Sequence, residues 1–273
     1  MKKHVYAALG SMLGALSLVA CMAGEVSDDV DGEVSEELVS EAEQAIKDGT
    51  PASPDEAMVV QLYGGLRCTG TLLSDDRVLT AAHCLTSSNI ASYWVKYAGE
   101  NRTVSQAIKY PNASTNGIDV AILVLSSPYS LGMLTQFPEV NISDTDHLIG
   151  REVTCYGYGK QDVGGTCTTD ADCATGFTCD TNRDRCYQAS TTLRKGDFTI
   201  ISDPEDDDIW FRLDVPNASG QIPLPGDSGG PCILDNPDWS KKHVVGVFKA
   251  GNHTNYARYT SREAFASWVL NNM

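Results

Sequence analysis

Three short stretches hold side chains whose types could act together. In "GDSGGP" (226–231) one hydroxyl, Ser228, stands among three glycines. A serine in such a stretch is ordinarily a turn residue. It becomes a nucleophile only if a base takes its proton, a carboxylate holds that base, and N–H groups receive the negative charge that forms. One of the five histidines, His83 in "LTAAHC", stands at the end of a strand-like run and could supply the base. Asp119 in "GIDVAILVL" enters a strongly apolar run. An unpaired carboxylate would be costly to bury there, and an imidazole partner would account for it. A bridge from Cys84, next to His83, back to Cys68 would hold the histidine loop rigid.

The elements that must position these residues read as β-structure. Short apolar or alternating runs recur between turn residues: "MVVQLY" from 58, "TGTLL" from 69, "RVLTAA" from 77, "VAILVL" from 120, "VTCYGYG" from 153, "DFTIIS" from 197 and "VVGVF" from 244. Their lengths and spacing predict an all-β barrel or sandwich. "SREAFASWVLNN" (261–272) sets Phe265, Trp268 and Val269 at helical spacing behind Ser261 and predicts a C-terminal helix. The block from about 165 to 187 breaks the pattern. It carries Cys167, Cys173, Cys179 and Cys186, few large apolar residues and many turn formers. It is expected to be a small disulfide-rich insertion, because it cannot build a core without cross-links. Its four cysteines are expected to pair among themselves, in any of three connectivities. Their spacing does not fit the paired Cys-x-x-Cys of common zinc sites, and no metal or other cofactor is expected.

The formal charge of -16 over 273 residues argues against a phosphate-binding surface, and nucleic acid is not an expected partner. Nine of the acidic residues lie in 22–45, without one Lys or Arg. That segment reads as an acidic propeptide or linker. Before it, Lys2 and Lys3 precede an apolar stretch ending in "LVAC" (18–21), too short to be a comfortable spanning helix. It reads as an export signal. "LVAC" resembles the bacterial lipobox, in which the cysteine, here Cys21, is lipidated; an ordinary cleaved signal is the alternative. Setting Cys21 aside leaves eight cysteines, an even number that suits disulfides in an exported chain.

Taken together, "LTAAHC", "IDVAIL" and "GDSGGP", in the order His, Asp, Ser, resemble the chymotrypsin/trypsin superfamily of serine proteases over residues 46–273. The resemblance implies two six-stranded antiparallel β-barrels with the site in the cleft between them. It implies that Ser228 is the nucleophile, His83 the general base and then acid, and Asp119 the residue that orients His83. The N–H groups of Gly226 and Ser228 would form the oxyanion hole. "YGYGK" is similar to the family's Gly-Trp-Gly strand, with Tyr158 at the Trp place, and Cys155 and Cys232 look like a family disulfide. The implied partners are protein or peptide substrates, and the implied state is a monomer.

Departures from the family bear on specificity. Six residues before the serine, where trypsin-like members hold an acid, stands Ile222. The pocket wall aligns with Lys249, Ala250 and Gly251, with Ala257 further on, and Lys249 replaces a serine that supports the catalytic aspartate. "IKDG" resembles the family's Ile-Val-Gly-Gly start. A cut after Ala45 would therefore make Ile46 a new N-terminus whose ammonium pairs with Asp227, and would separate the protease from Cys21. The expected function is an exported endopeptidase, held in the cell envelope by lipid or secreted after propeptide cleavage. The alternative is a catalytically silent homologue serving as a surface binding module.

Overall fold

The computed structural model describes residues 45–132, 135–140, 148–175, 177–180, 184–202, 209–234, 241–252 and 254–273. The export signal, Cys21 and the acidic segment as far as Gln44 lie outside the described residues.

In chain order, β1 (Thr50–Pro51) is followed by β2 (Val59–Tyr63), β3 (Cys68–Leu72), β4 (Arg77–Thr80), β5 (Trp94–Tyr97), β6 (Glu100–Lys109), the short α1 (Ala113–Asn116) and β7 (Ala121–Leu125). Strands β2 to β7 close into an antiparallel barrel in the order β2-β3-β4-β7-β6-β5, with β5 returning to β2. The second half begins with β8 (Glu152–Gly157). It continues through β9 (Lys160–Thr166), β10 (Thr178–Asp180) and β11 (Arg185–Ala189) to β12 (Arg194–Ser202), β13 (Trp210–Leu213), β14 (Pro231–Leu234), β15 (His243–Gly251) and β16 (Ala257–Ser261). Six of these strands, in the order β12-β13-β16-β15-β14-β8, close when β8 pairs with β12; β1 adds itself to β12. The two six-stranded barrels are the expected architecture.

Each barrel has its own core. Leu62, Leu79, Ile122 and Leu123 are fully enclosed in the first, and Phe198, Ile200, Phe211 and Tyr259 in the second. Burying side chains of this size contributes about 1.5–3 kcal/mol each. The C-terminal helix, α2, spans Arg262–Leu270, two residues shorter than the sequence suggests. Ser261 caps it by accepting the Glu263 N–H, and Phe265, Ala266 and Val269 form its buried face.

The insertion is a three-stranded sheet, β10-β11-β9, stapled by Cys167–Cys179 and Cys173–Cys186. The pairing is therefore first with third and second with fourth. Closing loops of 12 and 13 residues stabilises such a module by about 3 kcal/mol per bridge through restriction of the unfolded chain. The other two bridges, Cys68–Cys84 and Cys155–Cys232, lie within the barrels. Cysteines in the sulfur-rich groupings around His83 and in the insertion are thus disulfide-bonded and offer no thiolate to a metal.

Candidate active site

Closed barrels leave the reactive residues on connections. His83 sits in a single 3-10 turn, Ala82–Cys84, that follows β4. The Cys68–Cys84 bridge ties this turn to β3. Asp119 lies just before β7, after the loop that contains α1. Its carboxylate meets His83 twice: Oδ1 accepts the His83 backbone N–H at 2.9 Å, and Oδ2 lies 2.5 Å from Nδ1. The double contact fixes both the turn and the ring. Burial alone would push the Asp119 carboxyl up. The hydrogen bond and charge of the His83 ring, its backbone amide, and the Lys249 ammonium together hold it below the usual carboxylate value. With the carboxylate ionised, Nδ1 carries the proton and Nε2 is left as the accepting nitrogen.

Ser228 comes from the second barrel, on the turn before β14. Its carbonyl accepts the Thr69 N–H at 2.8 Å, and the Cys84 sulfur lies 3.8 Å from that carbonyl and 3.9 Å from His83 Nε2. The serine turn and the imidazole therefore flank the same disulfide. Among the described residues Ser228 Oγ makes no hydrogen bond to His83. Such bonds commonly tighten only when substrate arrives.

The backbone of the turn is used selectively. Asp227 N–H donates to Leu224 O, Gly229 N–H to Phe248 O and Gly230 N–H to Asp227 O, at 2.7 to 3.0 Å. Among the described residues, neither Gly226 nor Ser228 donates its N–H. Two unengaged amide donors thus flank the hydroxyl. Gly226 has φ +96°, a conformation that a side chain would resist, and a Cβ there would lie 3.0 Å from the Gly159 Cα. Thr69, which the sequence motifs do not single out, cross-braces this turn: its hydroxyl donates to Gly226 O at 2.9 Å and accepts the Tyr158 N–H at 3.0 Å. Its place next to Cys68 is the only signal in the sequence.

Beneath the turn, Asp227 is 1% exposed. Oδ1 accepts the Gly159 N–H at 2.7 Å; Oδ2 accepts the Leu224 N–H at 2.7 Å and the Ile46 N–H at 3.2 Å. Burial pushes its carboxyl up to about 6 despite these three donors. The Ile46 nitrogen is here an amide, still joined to Ala45, and both residues are fully buried.

The expected pocket residues divide. Ile222 is buried and bridged to Lys47 by two backbone hydrogen bonds of 2.8 and 3.3 Å. Ala257 is buried too, and Gly251 lies against Phe248, whose ring packs 5.1 Å from that of Tyr259. Lys249 turns elsewhere. Its ammonium donates to Gly117 O at 2.8 Å, and it lines a cavity of about 470 Å³ with His83, Asp119, Lys109 and Tyr110. Its half-buried side chain is thus turned toward the loop that carries Asp119.

The sequence profile described as Trypsin matches residues 46–269. Among curated relatives, "Trypsin beta" of Drosophila erecta is 26% identical over 94% of this chain and 97% of its own length. "Trypsin" of Phaedon cochleariae is 27% identical over 74% of this chain and 77% of its own. "Venom serine protease" of Polistes dominula is 24% identical, covering 72% of each.

Proposed function

Since the chain belongs to the trypsin family of serine proteases, we propose that it is an exported endopeptidase that hydrolyses peptide bonds through Ser228, His83 and Asp119. One observation carries this reading. The oriented His83–Asp119 pair and two unengaged N–H donors flank a single hydroxyl. The roles are those of the family's catalytic triad, carried over to these positions. Ser228 Oγ attacks the substrate carbonyl carbon while His83 Nε2 takes its proton. The charge that develops on the carbonyl oxygen is received by the Gly226 and Ser228 N–H groups. His83, now positive beside the Asp119 carboxylate, returns the proton to the departing amine. Water then repeats the sequence on the acyl-enzyme.

Covalent labelling by a fluorophosphonate tests the reading. The chain beginning at Ile46 is expected to label, and Ser228→Ala to abolish the label. The competing reading, a silent homologue that binds without cleaving, draws on the lysine at position 249 and on the unformed Ser228–His83 bond. Absence of any Ser228-dependent label would decide for it.

Specificity should depart from that of an acid-based pocket. Ile222, at the place where trypsin-like members hold an acid, is buried and uncharged, and so are Ala257, Phe248 and Tyr259; none of the four offers a carboxylate to a substrate cation. A guanidinium there would lose its hydration without a counter-charge. Substrates with a small or apolar residue before the cleaved bond are expected to exceed Arg and Lys substrates at least about tenfold in kcat/KM, since even a modest unpaired-charge penalty exceeds about 1.4 kcal/mol. A peptide-library profile dominated by Arg and Lys would overturn this.

The N-terminal reading is carried by sequence alone. Residues 1–21 would direct export, Cys21 would receive lipid, and 22–45 would be removed when the Ala45–Ile46 bond is cut. The four disulfides suit an exported protein. The relatives named above are insect proteins and lend the bacterial lipobox no support. Mass spectrometry of the mature N-terminus distinguishes a lipidated Cys21 from a simple cut.

A further inference from the structure

The loop that delivers Asp119 belongs to the first barrel, yet it is gripped from the second. Trp210 Nε1, on β13, donates to Gly117 O at 2.9 Å, and Lys249 Nζ, on β15, donates to the same oxygen at 2.8 Å. A carbonyl oxygen has two lone pairs, and both are taken. Around this junction the contacts are dense. The Lys249 ammonium lies 4.3 Å from the Trp210 ring centroid and the Arg258 guanidinium 4.5 Å from it, within cation–π range. Gly117 has φ +81°, and a Cβ on it would lie 2.2 Å from Trp210 Cζ2. The indole therefore rests on a backbone that only glycine can present this closely. Asp119 follows two residues later, within about 7 Å of chain.

We propose that Trp210 and Lys249 are positioning residues that clamp Gly117 O, fixing the Asp119 loop of the first barrel to the barrel that carries Ser228, with Lys249 adding a positive charge to the cavity that holds the His83–Asp119 pair. The proposal rests on the protease reading above for its catalytic consequences, although the clamp itself does not. The two donors act differently. Trp210 contributes geometry alone. Lys249 contributes geometry and charge, and its field favours the Asp119 carboxylate. The other titratable groups lining the same cavity are Lys109, whose ammonium donates to Leu85 O at 2.7 Å, and Tyr110. Neither contacts Gly117 O, so substitution at 249 removes one identifiable charge and leaves the rest.

The test separates geometry from charge. In a Ser228→Ala background, the Asp119 carboxyl titration is followed by NMR through its side-chain carboxyl carbon. Lys249→Met is expected to raise the Asp119 midpoint, because the Lys249 ammonium is one of the charges that hold it down. Lys249→Arg should restore the midpoint, and Trp210→Phe should leave it in place. With Ser228 present, Trp210→Phe and Lys249→Met should each lower kcat by about 3- to 30-fold with KM little changed, the range for a loosened catalytic orientation. A residue serving only stability would shift the melting temperature without moving either reading. An unmoved Asp119 midpoint in folded Lys249→Met overturns the charge role, and unchanged kcat in folded Trp210→Phe overturns the clamp. Should Lys249→Met not fold, Lys249→Gln provides the same charge loss while keeping a donor. If no variant nor the parent labels with fluorophosphonate, the protease reading fails, whereas the titration still decides the charge role.

Discussion

Asp119→Asn is expected to lower kcat by about four orders of magnitude while leaving the fold intact, the size being that of the same substitution in the family's triad. The direction follows from the contacts. Asp119 offers two oxygens to His83, one to its backbone N–H and one to Nδ1. Asparagine has one oxygen and one NH2. If the oxygen keeps the backbone amide, the NH2 faces Nδ1 and can only donate. Nδ1 must then be the unprotonated nitrogen, and the proton moves to Nε2, on the side of Ser228. A base with its proton already in place cannot accept another. Shape is preserved, so the thermal midpoint should move little, and the disulfide beside His83 continues to hold the turn. Activity within about tenfold of the parent, a barrier change of only about 1.4 kcal/mol, would show that Asp119 does not set the tautomer.

How much of this is legible in the sequence can be followed strand by strand. The runs from 58, 120 and 244 fall on β2, β7 and β15, because those strands are buried nearly throughout and apolar residues announce them. β6 is not announced. Its ten residues, "ENRTVSQAIK", bury only Val104 fully, so hydrophobicity carries almost no signal. It is a strand because β5 and β7 pair with it on either side and close the barrel. β13, "WFRL", alternates in burial but is only four residues long, too short to stand out, although it presents Trp210 to the aspartate loop. The candidate triad is readable because each member sits in a local motif of unusual composition. Thr69 and Trp210 are not, since each matters only through a residue tens of positions away in the chain. Lys249 is visible as a departure from the family pattern. Its partner, a backbone carbonyl on the other barrel, has no side-chain identity to reveal it.

The cut before Ile46 should leave a measurable mark on how stability depends on pH. In the uncut chain Asp227 is wholly buried with three amide donors and, among the described residues, no paired cation, and its carboxyl is pushed up to about 6 from an ordinary 3.8. A raised carboxyl means that the folded state binds the proton more tightly than the unfolded state. The penalty is therefore absent below about 3.8, grows as pH rises, and is complete above about 6. Its size is about 3 kcal/mol, at about 1.36 kcal/mol per unit. Uncut Ser228→Ala protein should accordingly gain stability, relative to its Asp227→Asn counterpart, as pH is lowered from about 7.5 to about 5. A chain that begins at Ile46 carries an ammonium on the nitrogen that already stands 3.2 Å from Asp227 Oδ2. That charge favours the carboxylate and should remove most of the gain. The uncut geometry carries a second cost: Ile46, β-branched, is held at φ +41°, a conformation such residues rarely adopt. The dihedral runs through the bond to Ala45, so cutting that bond releases the constraint as it creates the charge. In the cut protein, Asp227→Asn should lower kcat/KM by about two to three orders of magnitude, the effect of misplacing oxyanion donors, because this carboxylate ties the turn at Leu224 to Gly159 and Ile46. Denaturant melts at several pH values, on cut and uncut protein with and without Asp227→Asn, measure the first effect; peptide hydrolysis measures the second. Equal pH profiles for the two forms, together with full activity in a chain that retains Ala45, would mean that Ile46 only begins a strand and that Asp227 needs no ammonium.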